Sequence, residues 1–277
     1  MTWRRLASRV LLYITVATIC LITLLPIVWT FLTSLETREE VYRFPPTLFP
    51  GGFHYQNYLE IFGASQYQAF ALNSLLVTLV ATLATMILAS LAAYAFSTVT
   101  FRGNSFLMLL VLITRMVPGI ALVIPLYILA QRLGLYDTRG NLILLYVVTT
   151  LPLAIWLLKT SFDAVPQALL DAARIDGCTE VRILYQIFLP AAAPGMATTL
   201  VITFLTNWNE FLFAQIFTSS PASKTLPVAV GELTGAEYGI HWGNLTALGM
   251  VLILPTLLLA IWVQRYVVAG LVTGSVK

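Results

Sequence analysis

The stretch from Lys159 to Pro190 reads KTSFDAVPQALLDAARIDGCTEVRILYQIFLP, and its charged and polar residues separate two long apolar runs. Pro166 is suited to the start of a helix, because it fixes φ and has no N–H that the first turn would leave unbonded. Gly177 can adopt the left-handed conformation that ends a helix, and Thr179 can cap the next one. Helical spacing places four residues on one face of the first helix: Leu169, Ala172, Ala173 and Asp176. The stretch therefore predicts two short helices joined at a sharp turn, with small alanines on a docking face.

The composition of the whole chain is typical of a membrane protein. Hydrophobic residues make up 59% of its 277 residues, charged residues make up 10%, and the mean hydropathy is +0.88, whereas a soluble domain has about a quarter charged residues. The charges cluster between apolar runs, which predicts an all-α polytopic membrane protein with six transmembrane helices in contact with membrane lipid. The predicted spans, in a single domain covering 1–277, are 10–32, 71–97, 105–130, 141–158, 195–217 and 245–263. The small net charge of +3 does not indicate a nucleic-acid partner.

The distribution of Lys and Arg predicts the orientation of the spans, because cytoplasmic segments carry an excess of these residues. With both termini and the loop 159–190 in the cytoplasm, the inner segments hold Arg4, Arg5, Arg9, Arg102, Lys159, Arg174, Arg182, Arg265 and Lys277. The outer segments then hold only Arg38, Arg43, Arg132, Arg139 and Lys224. The majority favours this orientation, although Arg132 and Arg139 oppose it. The first apolar segment lacks a small-residue cleavage site and is interpreted as a retained anchor.

Two predicted spans carry patterns that affect their packing. The third contains Pro118 and Pro125, and each proline removes a hydrogen bond of the helix ladder, so we expect a kink near mid-membrane. The second contains small residues spaced by four, which let another helix approach closely. These small residues are Ala81, Thr85, Ala89 and Ala93.

The loop between the fourth and fifth spans also resembles that of a known family. The loop matches the pattern E-A-A-x3-G-x9-I-x-L-P. The match begins with Asp171-Ala172-Ala173, continues after three residues with Gly177, and ends after nine more residues with Ile187-Phe188-Leu189-Pro190. Inner-membrane permease subunits of binding-protein-dependent ABC importers share this loop, and the one departure is Asp171 in place of the usual Glu. The resemblance implies the type I importer permease fold and a loop, 159–190, that docks into a cleft of a separate ATPase. The implied coupling residues are Asp171, Ala172, Ala173, Gly177, Ile187, Leu189 and Pro190.

Two further stretches resemble the carbohydrate importers of that family. Asn207-Trp208-Asn209-Glu210-Phe211 looks like the segment W-N-[DE]-[FL]. Residues 263–277 are similar to the tail Q-[RK]-x-[FI]-V-x-G-[LM]-T-x-G-[AS]-[VI]-K of the subfamily typified by the smaller maltose permease subunit, with Val272 as a one-residue departure. The resemblance implies import of a sugar or sugar derivative across a bacterial inner membrane. Its implied partners are a second, different permease subunit, an ATP-binding subunit dimer and an extracytoplasmic sugar-binding protein.

The sequence lacks the common motifs for catalysis. It has no G-x-x-x-x-G-K-[ST] phosphate loop, so we expect ATP and Mg²⁺ to bind to the partner ATPase and no cofactor to bind to this chain. It also has no H-E-x-x-H and no G-x-S-x-G, and its two histidines, His54 and His241, lack a metal-ligand spacing. The sequence therefore favours a transport subunit over an enzyme.

Arg115 and Glu210 are the ionisable residues that the predicted spans place at membrane depth, where a charge is costly and usually faces a cavity or a partner. In one interpretation they line the pathway together with Asn207, Trp208 and Asn209, bind sugar hydroxyls, and use Trp208 as a stacking face. In the other they pair with each other or with backbone groups freed by the kinks. The sequence leaves both interpretations open, and also whether this chain contacts substrate. The alternative class of protein is a proton- or sodium-coupled secondary transporter that uses Glu210 and Arg115.

Overall fold

A computed structural model describes residues 3–45, 49–235 and 240–274, and within these ranges it describes the side chains from residue 8 to residue 263. Every regular element in these ranges is a helix. The helices are α1 (Trp3–Thr33), α2 (Arg38–Val41), α3 (Gln56–Gly63), α4 (Ser65–Thr98), α5 (Asn104–Thr114), α6 (Gly119–Arg132), α7 (Arg139–Phe162), α8 (Gln167–Ile175), α9 (Glu180–Ile183), a π-helical segment (Leu184–Phe188), α10 (Leu189–Ala191), α11 (Ala193–Trp208), α12 (Leu212–Phe217), α13 (Leu226–Thr234) and α14 (Trp242–Gly274).

Four helical segments of the described chain are long and apolar enough to cross a membrane. They are Ser8–Thr33, Ser65–Thr98, Arg139–Phe162 and Trp242–Val263. Two bent helix pairs raise the number to six if each pair counts as one span: Asn104–Thr114 with Gly119–Arg132, and Glu180–Ala191 with Ala193–Trp208. The predicted all-α fold with six spans is confirmed on this count.

The third span is broken rather than kinked. Helices α5 and α6 meet at an angle of 86°, and residues 115–118 lie between them. Pro118 precedes the first residue of α6 in an extended conformation, with φ −60° and ψ 130°. A proline disfavours the helical conformation in the residue before it, which explains why α5 cannot continue into α6. The bend is therefore confirmed at Pro118, whereas α6 runs through Pro125.

The fifth predicted span, 195–217, does not form one continuous helix. Helix α11 ends at Trp208, and α12 begins at Leu212. The carboxylate of Glu210 accepts hydrogen bonds from the backbone N–H groups of Phe213 and Ala214, at 2.8 and 3.0 Å. The first N–H groups of a helix have no partner within the helix, so a carboxylate at this position favours the start of a new helix.

The chain divides into two compact units. The first holds the described residues of Met1–Gln68 and Val230–Leu254, and the second holds those of Ala69–Ala229 and Pro255–Lys277. In the first unit, Nδ2 of Asn57 donates to the backbone carbonyls of Ser34 and Glu36, which ties the end of α1 to α3. The most apolar window of Ser8–Thr33 has no buried residue, so the described part of the chain leaves this span uncovered.

The second unit contains two apolar cores. One holds Leu158 and Phe162 of α7 with Phe188 of the π-helical segment, and the other holds Tyr146 of α7 with Phe217 of α12. The small residues spaced by four on α4 are all fully buried, which confirms the predicted close packing. These residues are Ala81, Thr85, Ala89 and Ala93.

The turn between α6 and α7 is held by Asp137, a non-glycine residue with φ +60°. Its N–H donates to the carbonyl of Phe217 at 3.0 Å. Its carboxylate accepts hydrogen bonds from the backbone N–H groups of Ser219 and Ser220 and from the hydroxyl of Ser223. Burial raises the pKa of this carboxyl, but the hydrogen bonds outweigh burial and hold the pKa well below its usual range. The hydrogen bonds of this turn thus favour the ionised form of Asp137.

Candidate functional site

The loop 159–190 forms the two short helices that its sequence predicts. Pro166 precedes the first residue of α8, and Gly177, with φ +77°, lies just beyond its end. The hydroxyl of Thr179 caps α9 by accepting a hydrogen bond from the N–H of Arg182 at 3.4 Å. A residue with a Cβ adopts the left-handed conformation only at a cost, so glycine is the residue suited to this turn.

Helix α8 presents one face to the core of the second unit and the other to the outside. Leu170 is fully buried and Ala173 is 6% exposed, and both belong to the core that holds Phe162 and Phe188. The prediction that Ala172 and Ala173 share one docking face is wrong for Ala173. The reason is that Leu170 and Ala173, three residues apart, form the apolar side of this short helix. The exposed residues of α8 include Leu169, Asp171, Ala172 and Arg174, and Asp176 follows them.

The end of the loop is a π-helical turn followed by Pro190. The N–H of Leu189 donates to the carbonyl of Leu184, five residues earlier. A proline cannot continue the usual ladder, and its ring clashes with the carbonyl four residues before it, so a wider turn relieves the clash. Ile187 and Leu189 pack against the core that contains Phe188, while Pro190 is exposed. The I-x-L-P end therefore anchors the loop to the second unit.

The two ends of the loop meet where α7 packs against α11. A Cβ atom added to Gly195 would lie 1.9 Å from Oγ of Ser161 and 2.6 Å from its Cβ. Carbon atoms of neighbouring side chains normally stay about 3.5–4.0 Å apart. Gly195 therefore permits a close approach of α11 to Ser161, and this contact forms the base of the loop.

A cavity of about 450 Å³ in the second unit brings together the two charged residues predicted at membrane depth. Arg115 lies at the break between α5 and α6, and Glu210 lies at the break between α11 and α12. Irregular backbone at membrane depth is tolerated where it is buried in protein or lines a cavity. Other residues of the cavity wall include Thr114, Gly119, Thr149, Pro152, Thr206 and Phe213. The two helix breaks thus place a cation and an anion on the wall of one cavity.

Each of these charged groups is bound to the backbone rather than to the other. Nη1 of Arg115 donates to the carbonyl of Thr149 at 2.7 Å, and the carboxylate of Glu210 binds the start of α12. The salt bridges of the described residues do not include an Arg115–Glu210 pair. This geometry supports the interpretation in which the charges bind backbone groups near the breaks. Arg115 is nevertheless exposed, which leaves part of its guanidinium open to the cavity.

The other three residues predicted for the pathway do not line this cavity. Asn207 is 2% exposed, and its Nδ2 donates to Oγ1 of Thr82 at 3.1 Å. Trp208 is 4% exposed and stacks on Phe204, with ring centroids 5.9 Å apart. Asn209 is exposed and lies just beyond the end of α11. The stacking face predicted on Trp208 is therefore occupied by Phe204, because residues four apart on a helix lie on the same side.

The sequence matches a known protein family over residues 86–272, and that family is described as the inner membrane component of binding-protein-dependent transport systems. The chain belongs to this family. The matched region contains the loop 159–190 and both helix breaks, so this loop and the cavity of the permease lie inside it. Membership makes the chain a multi-pass transport subunit rather than an enzyme, and it supports an importer permease over the alternative of a proton- or sodium-coupled secondary transporter.

Individual relatives match the permease along nearly its full length. It is 34% identical over 278 residues to the inner membrane ABC transporter permease protein YcjP of Escherichia coli K12, covering 100% of this chain and 99% of that protein. It is 32% identical over 272 residues to the trehalose/maltose transport system permease protein MalG of Thermococcus litoralis, covering 98% of this chain and 97% of that protein.

A solved structure shows the same fold. The permease superposes with a TM-score of 0.81 on a chain from the crystal structure of a bacterial ABC transporter involved in the import of the acidic polysaccharide alginate. The sequence identity is 19%, and the superposition covers 96% of this chain and 98% of that chain. The predicted importer permease fold is confirmed.

Sequence reasoning missed the uncharged groups that surround the two charges of the permease. Thr149 supplies the carbonyl that binds Arg115, and the hydroxyl of Tyr146 donates to the backbone carbonyl of Glu210 at 3.4 Å. The sequence feature that could have pointed to these groups is Pro152 in the middle of α7. A proline inside a span interrupts the backbone ladder and so marks a place where carbonyls need other partners.

The tail that resembles carbohydrate importers lies outside the described side chains. The backbone is described to residue 274 and the side chains to residue 263, whereas the motif occupies residues 263–277. Its resemblance therefore stays a prediction of the sequence.

Proposed function

We propose that the permease forms half of the translocation pathway of an importer for a sugar or sugar derivative, and that its loop 159–190 couples it to a separate ATPase. The observation that carries the proposal is the construction of the loop. Leu170 and Ala173 fasten α8 to the core, while Asp171 and Ala172 are exposed. The name of the trehalose/maltose transport relative supports a sugar as the substrate class.

The loop is suited to receive a mechanical push. The small side chain of Ala172 allows a partner surface to approach closely, and the carboxylate of Asp171 offers a charged anchor for a basic group. When the ATPase dimer closes on ATP, it presses on the exposed face of α8. Because the inner face of α8 shares its core with α4 and α7, the displacement passes to the spans and shifts the permease between two states. Gly177, Ile187, Leu189 and Pro190 shape and anchor the loop during this motion.

The proposed assembly contains a second permease subunit, a dimer of ATP-binding subunits and an extracytoplasmic sugar-binding protein. ATP and Mg²⁺ bind to the ATP-binding subunits in this proposal, because this chain lacks the phosphate loop by which it could hydrolyse ATP itself. Both termini and the loop 159–190 lie in the cytoplasm of a bacterial cell. The excess of Lys and Arg in these segments supports that orientation.

The cavity that holds Arg115 and Glu210 is the proposed contribution of this chain to the pathway. Arg115 has five N–H donors, and the backbone carbonyl of Thr149 occupies only part of this capacity. The remaining donors are suited to sugar hydroxyls. Glu210 acts mainly as the cap that starts α12 and keeps the break open. Asn207 and Trp208 support the break from inside the core.

The test is co-purification of the membrane complex from cells that carry the permease with an affinity tag. It compares wild type with Ala172→Glu and with the control Ala164→Glu, since Ala164 is also exposed but lies in the turn before α8. We expect the second permease subunit to co-purify with all three, and the ATPase to be lost only from the Ala172→Glu variant. A wild type that purifies without an ATPase contradicts the proposal, and so does equal loss from both variants. Binding of sugars to the co-purified binding protein then identifies the substrate.

A further inference from the structure

The carboxylate of Glu180 bridges the coupling loop and a transmembrane span. Its Oε1 accepts a hydrogen bond from Nε of Arg174 at 2.9 Å, and its Oε2 accepts one from the hydroxyl of Tyr94 at 2.5 Å. Arg174 lies in the last turn of α8, Glu180 is the first residue of α9, and Tyr94 belongs to α4. One side chain thus connects both helices of the loop to α4. These three residues are called the Glu180 clamp.

The end of the clamp at Tyr94 is built into the core. Tyr94 is 9% exposed, and its ring meets that of Phe188 edge to face at a centroid distance of 5.1 Å. Phe188 in turn meets Phe162 of α7 at 5.5 Å. A buried tyrosine hydroxyl needs a hydrogen-bond partner, and Glu180 supplies it. Tyr94 therefore joins α4 to the loop through its hydroxyl and through its ring.

The loop end of the clamp is exposed and spans the turn at Gly177. The side chains of Arg174 and Glu180 are 40% and 55% exposed, and an exposed ion pair contributes little to stability. Between them lies Gly177, with φ +77° and no atom within 4 Å of where its Cβ would be. Arg174 and Glu180 therefore link α8 to α9 across this turn, in addition to the backbone hydrogen bonds of the turn and the core contacts of Leu170 and Ile183.

We propose that Glu180 and Tyr94 are positioning residues that make α8, α9 and α4 move as one body when the ATPase pushes on the loop. This inference rests on the proposed function of the loop and names the route of its motion. Without the clamp, the ATPase still docks on the exposed face of α8, because that face does not include Glu180 or Tyr94. The push then bends the loop at Gly177 and moves α4 less. The result is ATP hydrolysis without a matching amount of transport.

The experiment measures the distance between α8 and α4 in the complete importer complex in lipid nanodiscs. Spin labels are attached at Gln167→Cys, at the start of α8, and at Val99→Cys, one residue beyond the end of α4, both exposed positions, after Cys20 and Cys178 have been replaced by Ser. The distance is recorded without nucleotide and after trapping with ATP and vanadate. The clamp variants are Tyr94→Phe, which keeps the ring and removes only the hydroxyl, and Glu180→Ala.

A matched control removes the other salt bridge of the loop. Nζ of Lys159 lies 2.6 Å from Oδ2 of Asp163, and these side chains are 24% and 44% exposed. This pair lies at the start of the loop and does not reach α4, so Asp163→Asn removes a comparable ion pair outside the clamp. The same complexes in proteoliposomes give the amount of substrate taken up per ATP hydrolysed, using the sugar that binds the co-purified binding protein.

We expect the label distance to be the same in both nucleotide states for wild type and Asp163→Asn. In Tyr94→Phe and Glu180→Ala, the label distance should change on trapping while the ATPase still co-purifies. The amount of substrate taken up per ATP hydrolysed should fall about fivefold or more in these variants, which is the factor that a typical coupling energy produces. An unchanged distance in both clamp variants overturns the inference, as does an equal change in Asp163→Asn. Failure of the proposed function is distinguishable, because the ATPase is then missing from the wild-type complex before any label is attached.

Discussion

Replacing Gly195 by alanine should destabilise the permease by forcing α11 away from α7. The added Cβ would lie 2.6 Å from Cβ of Ser161 and 1.9 Å from its Oγ. The hydroxyl can rotate away, but the Cβ of Ser161 cannot, so the two helices must separate by about 1 Å to reach normal contact. Overpacking of this severity costs up to about 3 kcal/mol. The higher helix propensity of alanine returns about 1 kcal/mol, which leaves a net loss of about 2 kcal/mol.

The assay is thermal denaturation of the purified permease in detergent. The measured quantity is the fraction of the protein that stays monodisperse after heating. A loss of about 2 kcal/mol corresponds to a midpoint lowered by about 4–8 °C. Gly140→Ala is the matched control, because Gly140 also lies in the first turn of a long apolar helix and has no atom within 4 Å of where its Cβ would be. This control should be as stable as wild type or more stable by up to about 1 kcal/mol.

Second-site changes at Ser161 test the geometry directly. Ser161→Gly removes both atoms that the new Cβ would meet, so it should restore most of the stability lost in Gly195→Ala. Ser161→Ala removes only Oγ and leaves the 2.6 Å contact between the two Cβ atoms, so it should restore little. The reasoning is refuted if Gly195→Ala is as stable as Gly140→Ala, or if both second-site changes rescue it equally.

Three further predictions concern single residues. Asp137→Asn removes a carboxylate whose pKa is lowered in the folded state, so its stabilisation is fully present above the unfolded pKa of about 4 and is lost as the pH falls from there through the folded pKa. The variant should lose about 1–3 kcal/mol of unfolding free energy at pH 7. The unfolding curves of the two proteins should begin to converge only as the pH falls below about 4. Gly177→Ala should lower the free energy of unfolding by about 1–2 kcal/mol. This loss comes from left-handed backbone strain alone, because the added Cβ meets no atom, and Gly177→Asn should lose less. Equal melting temperatures for wild type and both variants contradict this prediction. Glu210→Ala leaves two N–H groups at the start of α12 unbonded and should lower the free energy of unfolding by about 1–3 kcal/mol, whereas Glu210→Gln keeps one acceptor. If the Gln variant transports normally in an uptake assay while the Ala variant does not, the function of Glu210 is to cap α12. If both variants fail, the charge itself takes part in transport.

Local features of the loop could be predicted from the sequence because each depends on residues within one or two turns. Pro166 begins α8 through its own fixed φ, Gly177 ends it through its own freedom at positive φ, and Thr179 caps α9 through an N–H three residues away. The six spans follow from the lengths of apolar runs for the same reason. Such signals do not need knowledge of what packs against them.

The breaks in the spans depended on more than local signals. Pro118 lies at the break between α5 and α6, whereas α6 continues through Pro125, although both prolines lie in the same apolar run. Both residues have the same fixed φ and lack of an N–H, so the difference lies in the surroundings. Arg115, beside the break at Pro118, gains a bond to the carbonyl of Thr149 on α7. Only the packed structure shows which proline has such a neighbour.

The pairing of distant side chains was decided by tertiary structure alone. Tyr94 and Glu180 are 86 residues apart, and Arg115 and Glu210 come from different broken spans yet share one cavity. Ala173 is turned inward and Ala172 outward because the core accepts one face of α8. By itself, the sequence determined the helices, the family and the outline of the loop 159–190, since these depend on composition and short spacings. Which residues meet depends on how helices pack, and packing is set by contacts between segments far apart in the chain.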